Sequence, residues 1–148
     1  MEHIKLCVAV HLIIINDGQI LLQRRYKTGY EDGKYGVVAG HIDGNEQILE
    51  AMLREAKEEA GIVLDLDNTQ IVQVMHRKKP DEERIDYFIE CTSWSGSIKI
   101  MEPDKCDDLS WFPLESLPDN MIDYVRFAIS CYLKGKHFTS FGWSERLG

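Results

Sequence analysis

Residues 40–62 read GHIDGNEQILEAMLREAKEEAGI, and this segment is the most informative part of the sequence. Glycine and charged residues recur in it at fixed intervals, in the pattern G-x5-E-x7-R-E-x-x-E-E-x-G followed by an aliphatic residue. The seven positions are Gly40, Glu46, Arg54, Glu55, Glu58, Glu59 and Gly61. Since each of these residue types has a background frequency of about 5–10%, a chance match at all seven is on the order of one in ten million or rarer.

The second half of this stretch predicts an amphipathic helix that carries carboxylates along one face. Because each helical residue turns by about 100°, Glu55, Glu58 and Glu59 share that face. Like charges at this spacing repel one another, whereas clustered carboxylate oxygens suit a hard cation such as Mg²⁺ or Mn²⁺. The neighbouring stripe is apolar and predicts packing on a core; it consists of Leu49, Met52, Leu53, Ala56 and Ala60.

The complete pattern resembles the signature of the Nudix hydrolases at every charged and glycine position. The plain alternative, a solvated charged helix face, leaves Gly40 and Glu46 upstream and Gly61 downstream without an explanation. The resemblance implies an α/β fold, the Nudix-type α/β/α sandwich with a mixed β-sheet. We expect a single domain over residues 1–148, with the Nudix box at residues 40–62.

The resemblance also implies metal-dependent hydrolysis of a nucleoside diphosphate linked to a group X, with Mg²⁺ as the cofactor and Mn²⁺ as a possible replacement. On that resemblance Glu58 and Glu59 are metal ligands. Glu55 either binds metal or orients the attacking water as a base. Ala39 and Gly40 are expected to offer a backbone carbonyl to the metal, since glycine permits a close approach.

Three positions of the box are expected to hold its shape. The resemblance makes Glu46 and Arg54 a structural ion pair that holds the loop on the helix. Gly61 reads as the glycine that ends a helix in the left-handed conformation. These three residues therefore serve the site without taking part in its chemistry.

Residues outside the box supply further candidates, each with surface charge or core packing as its alternative. An additional acidic ligand or base is sought among Glu102, Asp104, Asp107 and Asp108. Candidate phosphate contacts are Arg24, Arg25, Lys34 and Arg84. Asp107 and Asp108 resemble the base-reading acids of relatives that remove oxidised purines. Residues considered for stacking on a base or for a polar contact are Tyr35, Trp111, His41 and His76.

The substrate is inferred by elimination within the family. The sequence that follows the box in NADH pyrophosphatases is absent, and so is the coenzyme A pyrophosphatase pattern before it. The proline of ADP-ribose pyrophosphatases is also missing, with His76 near its place. A MutT-like housecleaning (d)NTP pyrophosphohydrolase is the remaining interpretation. Alternatives are another NDP-X hydrolase, for nucleotide sugar, ADP-ribose or dinucleoside polyphosphate, and a non-catalytic nucleotide-binding module.

Composition narrows the partners and the compartment. The 148 residues carry a net charge of −8, which argues against binding long nucleic acid, and capped RNA with it. No apolar run is long enough to span a membrane. The cysteines are scattered, so we expect reduced thiols and a cytoplasmic protein. The partner that the resemblance implies is a small-molecule nucleotide. A monomer and a homodimer are both compatible with the sequence.

Hydrophobic periodicity and turn residues predict the remaining elements. Strands are expected over residues 5–16, 19–24, 69–76, 84–92 and 109–112. Residues 77–83 are expected to form a charged turn, residues 93–108 an irregular segment and residues 114–117 a turn of helix. A terminal helix is expected over residues 121–134.

Overall fold

The computed structural model describes residues 2–144. Within this range the helices are α1 (Ile48–Ala60) and α2 (Asp123–Leu133), and residues Leu66–Asn68 form a single 3₁₀ turn. The strands are β1 (Cys7–Ile13), β2 (Ile15–Asn16), β3 (Gln19–Arg25), β4 (Tyr35–Gly36), β5 (Ala39–His41), β6 (Val63–Leu64), β7 (Thr69–Lys79), β8 (Glu82–Cys91), β9 (Trp94–Ser95), β10 (Cys106–Pro113) and β11 (Phe138–Phe141).

Two sheets form the middle layer. The larger has the strand order β11-β7-β8-β1-β5, with parallel pairing of β11 to β7 and of β8 to β1 and antiparallel pairing elsewhere. The smaller joins β10, β3 and β2 in antiparallel pairs, with β4 added to β3. Strands β6 and β9 form a separate antiparallel pair. The sheet is thus mixed, as the sequence predicts.

The helices cover opposite faces of these sheets because successive residues of a strand point to opposite sides. Leu12 packs in the apolar cluster that contains Met52 and Ala56 of α1, whereas Ile13 packs with Val125 and other residues of α2. The smaller sheet divides in the same way, with Leu21 on the side of α1 and Leu22 on the side of α2. The predicted α/β/α sandwich is therefore confirmed.

Helix α1 has defined signals at both ends. The Glu50 side chain accepts a hydrogen bond from the backbone N–H of Gln47 at 2.8 Å, which satisfies one donor of the first turn. At the other end Gly61 has φ of 72° and donates its N–H to the Lys57 carbonyl at 3.2 Å. The carboxylates between these ends are therefore held on a helix of fixed length.

Three local expectations were wrong. The predicted turn at residues 77–83 is mostly strand, since β7 runs to Lys79 and β8 starts at Glu82, leaving a turn of two residues. Residues 114–117 form a turn without helix, and the segment predicted to be irregular contains β9 and the start of β10. Strand β11 was not predicted, because four residues after a helix carry little periodicity.

No helix among residues 2–144 is long and apolar enough to cross a membrane.

Replacing Gly61 by alanine should lower the free energy of unfolding by about 1–2 kcal/mol, because its backbone is left-handed. Urea denaturation of wild type and variant measures this. Gly135→Ala is the matched control for the backbone conformation alone, since φ is 75° there and no heavy atom lies within 4 Å of an added Cβ; it should show a similar loss. At Gly61 the Met101 Sδ would lie 3.1 Å from the added Cβ, so a larger loss there measures that contact. A Gly61→Ala protein as stable as wild type contradicts the assignment.

Candidate active site

A cleft of about 540 Å³ opens where the two sheets meet, and the predicted catalytic and metal-binding residues line it. Strands β1 and β5 supply one side and β3 the other, with α1 reaching the cleft from one face of the sandwich and α2 from the other. The residues of the box that line it are Gly40, His41, Glu55, Glu58 and Glu59, together with Ala39 just before the box. A volume of this size is typical of small-molecule sites.

Gly40 is required by the close approach of a catalytic candidate. It lies in β5 and pairs with Val10, and the Glu55 carboxyl packs directly on its backbone. A Cβ at position 40 would lie 2.1 Å from the Glu55 Cδ, well inside van der Waals contact. The glycine of the box therefore makes room for the glutamate of the helix.

The Glu55 carboxyl is close enough to Glu59 to affect its ionisation. Burial, together with a hydrogen bond to Glu55, raises the pKa of Glu59 to about 9. Gln23 of β3 opposes this effect, because its Nε2 donates to the Glu59 Oε1 at 2.8 Å and so favours the charged form. A buried carboxyl whose pKa is raised by a neighbouring carboxyl marks a place that lacks positive charge.

Arg54 connects the loop before α1 with the carboxylates on it. Its Nε and Nη2 bind both oxygens of Glu46 at 3.1 and 2.8 Å, and Nη2 also donates to the His41 carbonyl at 3.1 Å. Its Nη1 donates to Glu55 at 2.8 Å and lies 3.4 Å from Glu58. Arg54 thus contacts the carboxylate face as well as Glu46, which sequence spacing did not predict.

The donor set fits a hard divalent cation. Within residues 2–144 no three His, Cys, Asp or Glu side chains form a complete metal cage. Mg²⁺ does not require one, since it is usually held by one or two carboxylates together with water and substrate phosphates. The raised pKa of Glu59 is consistent with this, because a cation beside the two carboxyls would take the place of the Glu59 proton.

Basic side chains line the rest of the cleft and are called the cationic wall below. They are Arg25, Arg77, Lys79, Arg84 and Lys105. Arg25 and Arg84 were predicted phosphate contacts. Arg84 is hydrogen-bonded to His41, whose Nε2 lies 2.5 Å from the Arg84 Nη2. Burial and the Arg84 charge lower the pKa of His41, so its Nε2 accepts this hydrogen bond as a neutral imidazole.

A buried charge cluster in the cleft was missed by sequence reasoning. Asp86 of β8 is completely buried and accepts hydrogen bonds from Arg77 of β7 at 2.8 Å and from His11 of β1 at 2.9 Å. These two neighbours hold the pKa of Asp86 near 2 against the effect of burial. Tyr124 of α2 covers the Arg77 guanidinium, whose carbon lies 3.6 Å from the ring centroid. Arg77 had been expected in an exposed turn.

Other predicted contacts lie outside the cleft. Arg24 binds Asp107 through a 2.7 Å hydrogen bond at the surface. Asp108 accepts hydrogen bonds from the Tyr35 hydroxyl and from Ser110. Four further residues do not line the cleft either: Lys34, His76, Asp104 and Trp111. Of the four acidic candidates outside the box, Glu102 is the one that lines it.

Replacing Arg54 by alanine should lower the melting temperature by about 5 °C, because the loop loses its attachment to the helix and Glu46 loses its partner. Thermal unfolding followed by circular dichroism measures the change. Activity should fall with it. A variant that loses activity at an unchanged melting temperature would place Arg54 in the chemistry instead.

The metal-free protein should become less stable as the pH rises, because of Glu59. A carboxyl whose pKa is raised from 4.5 to about 9 by folding stabilises the fold fully below 4.5 and progressively less up to about 9. Melting temperatures measured in EDTA from pH 5 to 9 should therefore fall more steeply for wild type than for Glu59→Gln. Parallel curves would show that Glu59 titrates normally.

Known proteins with similar sequences and structures agree with the fold and the site described above. Curated relatives include the NAD-capped RNA hydrolase NudC of Stutzerimonas stutzeri (strain A1501), 23% identical over 124 residues, which covers 82% of this chain and 43% of the relative. The protein of the same name from Vibrio atlanticus (strain LGP32) is 30% identical over 115 residues, covering 76% and 39%. The chain spans less than half the length of these relatives.

This chain covers more of the length of similar solved structures than of the curated relatives. The MutT NUDIX hydrolase from Burkholderia pseudomallei superposes with a TM-score of 0.78 at 30% identity, covering 85% of this chain and 97% of that one. The MutT protein from Bacillus halodurans has a TM-score of 0.74 at 18% identity, covering 95% and 92%, which shows the fold alone.

The family model described as the NUDIX domain matches residues 5–130, which includes the whole box. This match and the Burkholderia structure agree with the resemblance seen in the sequence. The chain is therefore a member of the Nudix hydrolase family.

Proposed function

We propose that this protein hydrolyses the pyrophosphate link of a nucleoside diphosphate derivative, with a nucleoside triphosphate as the leading substrate. One observation supports the proposal above the others: the carboxylates of α1 and the cationic wall line the same cleft. A polyphosphate with bound cations matches both, because the cations meet the carboxylates and the phosphate oxygens meet the arginines.

The Mg²⁺ ions of the family would supply charge neutralisation on the phosphates and an activated water. Glu58 and Glu59 are the proposed ligands, with a backbone carbonyl from Ala39 or Gly40. Gln23 orients Glu59 through its 2.8 Å hydrogen bond. Glu55 is the proposed base or a further ligand, and its position on Gly40 keeps it beside Glu59.

Glu102 is the proposed acidic group from outside the box. It lines the cleft, and its side chain is 37% exposed, so it is accessible to a water or a cation. Its backbone carbonyl accepts hydrogen bonds from the N–H groups of Lys105 and Cys106 at 2.9 and 3.1 Å. The loop that carries Glu102 is therefore ordered next to the site.

A second candidate substrate is a dinucleotide with a pyrophosphate link, such as NAD. Relatives named NAD-capped RNA hydrolase NudC favour it, and a structural neighbour titled ADP compounds hydrolase superposes with a TM-score of 0.68 at 23% identity. The Burkholderia structure, which matches almost its whole length, favours the MutT-like interpretation. Three expectations remain predictions: base reading by Asp107 or Asp108, a cytoplasmic location and the oligomeric state.

The proposal is tested by the change Glu58→Gln. This side chain is 52% exposed, so the fold should be unaffected, while turnover should fall by about a hundred-fold or more through loss of a charged ligand. The measurement is phosphate release at fixed Mg²⁺. Added pyrophosphatase reveals the pyrophosphate released from nucleoside triphosphates, and added alkaline phosphatase reveals the monophosphates released from ADP-ribose, nucleotide sugars and NAD.

Glu50→Gln is the matched control, because Glu50 lies on the same helix but outside the cleft and glutamine can serve in the same capping interaction. Its rate should equal that of wild type. Wild-type turnover in Glu58→Gln with metal still required would overturn the ligand assignment. A preference for ADP-ribose or NAD over every triphosphate would overturn the MutT-like interpretation alone.

A further inference from the structure

Arg77 is held in one position but keeps one donor group unused. Its Nε and Nη2 bind the two oxygens of Asp86 at 2.8 and 3.3 Å, and the Tyr124 ring covers the guanidinium. The residue is 4% exposed and lines the cleft. Its Nη1 makes no hydrogen bond to any residue from 2 to 144. A rigid guanidinium with a free N–H in a cleft can donate a hydrogen bond to a bound acceptor with little loss of conformational freedom.

Two neighbouring residues of the cleft also hold unmatched donors. Tyr124 is 8% exposed, and its hydroxyl has no hydrogen-bond partner in the described part of the chain. The Arg84 Nε is completely buried and likewise has no partner there. Buried polar groups are normally hydrogen-bonded, and within residues 2–144 the Arg84 Nε is the fully buried side-chain donor that is not. The Arg77 Nη1 and the Tyr124 hydroxyl keep some access to the cleft, so these two donors are placed to meet a bound group rich in acceptors.

The charges on this side of the cleft favour an anion as that group. Asp86 is already shared by His11 and Arg77. Glu82 is shared by Lys79 at 3.3 Å and Arg84 at 3.4 Å. The cationic wall also includes Arg25, whose side-chain hydrogen bonds go to the uncharged groups Tyr30 O and Thr28 Oγ1. Positive charge is therefore in excess here, although the whole chain carries −8.

We propose that Arg77, Arg84 and Tyr124 form a subsite for a phosphate group of the substrate that lies outside the anhydride being cleaved. The preferred substrates are then nucleotides with such an additional phosphate, either at the end of a polyphosphate or on a ribose hydroxyl. This inference rests on the proposed function for the identity of the cleaved link. A nucleotide whose X group is neutral leaves these donors unmatched and loses affinity.

A nucleobase is a poorer match for this subsite. The edge of a base presents a mixture of donors and acceptors and no negative charge, so it would leave the excess positive charge unbalanced. The test therefore compares nucleotides with the same base that differ by one phosphate.

Binding is measured by calorimetry in Ca²⁺, a hard cation that also takes oxygen ligands, and hydrolysis is measured separately in Mg²⁺. The probes are two matched pairs, ATP against ADP and NADP⁺ against NAD⁺, so that a terminal phosphate and a ribose phosphate are distinguished. In at least one pair the additional phosphate should tighten binding about ten-fold or more, as expected for charge-assisted hydrogen bonds.

Two variants identify the residues responsible. Tyr124→Phe removes only a hydroxyl that has no partner among residues 2–144, and Arg84→Met removes the unmatched Nε with its charge. Each should reduce the phosphate preference several-fold, because it weakens the nucleotide that carries the additional phosphate more than the partner nucleotide that lacks it. Lys134→Gln, an exposed lysine outside the cleft, is the control and should leave the preference unchanged.

Equal binding within both pairs by wild type would overturn the inference. Variants that weaken both members of each pair equally would overturn it too, by assigning these residues to the base or to the shared phosphates. A phosphate preference in binding without hydrolysis of any probe or of the nucleotide panel would leave the subsite in place and contradict the proposed function instead.

Discussion

The close packing of two carboxyls against the backbone of β5 is the constraint on which the site depends. Glu55 lies on Gly40 so tightly that no side chain fits there, and Glu59 shares a hydrogen bond with it. Without a cation, loss of the Glu59 proton destabilises the fold, because burial and the neighbouring Glu55 raise the pKa of Glu59. Arg54 and Gln23 each donate a hydrogen bond to one of the two carboxyls, and a bound cation would balance the rest.

The sandwich brings these groups to one place through the junction of its two sheets. Helix α1 reaches the junction from one face and α2 from the other, so that Glu55 and Tyr124 line the same cleft although they cover opposite sides of the sheet layer. The β7–β8 hairpin contributes Arg77, Lys79 and Arg84 to the lining of this cleft. The fold thus separates a carboxylate side from a cationic side within one small volume.

The box and its helix could be predicted from the sequence because their signals are local. Fixed spacing gives the shared face of Glu55, Glu58 and Glu59, and Gly61 marks the helix end at a left-handed residue. The mixed sandwich followed from the family resemblance. These features need only short-range periodicity and a strong motif.

The buried cluster could not be predicted, because its members are far apart in the chain. His11 and Asp86 are 75 positions apart and meet only through the parallel pairing of β1 with β8. The charged run after His76 had the composition of an exposed turn, yet Arg77 is buried because Asp86 lies on the strand paired with it. Asp107 shows the converse: it resembles the base-reading acids of relatives, but it pairs with Arg24 at the surface.

Cation binding tests the central claim most directly, and Mn²⁺ allows it to be followed by electron paramagnetic resonance. Free and bound Mn²⁺ would be measured for wild type and for Glu59→Gln, each with and without a nucleoside diphosphate. We expect wild type to bind Mn²⁺ and the variant to bind it at least about ten-fold more weakly, with the nucleotide strengthening binding to wild type. Equal affinities in the two proteins would contradict the account of the carboxylate pair as a cation site.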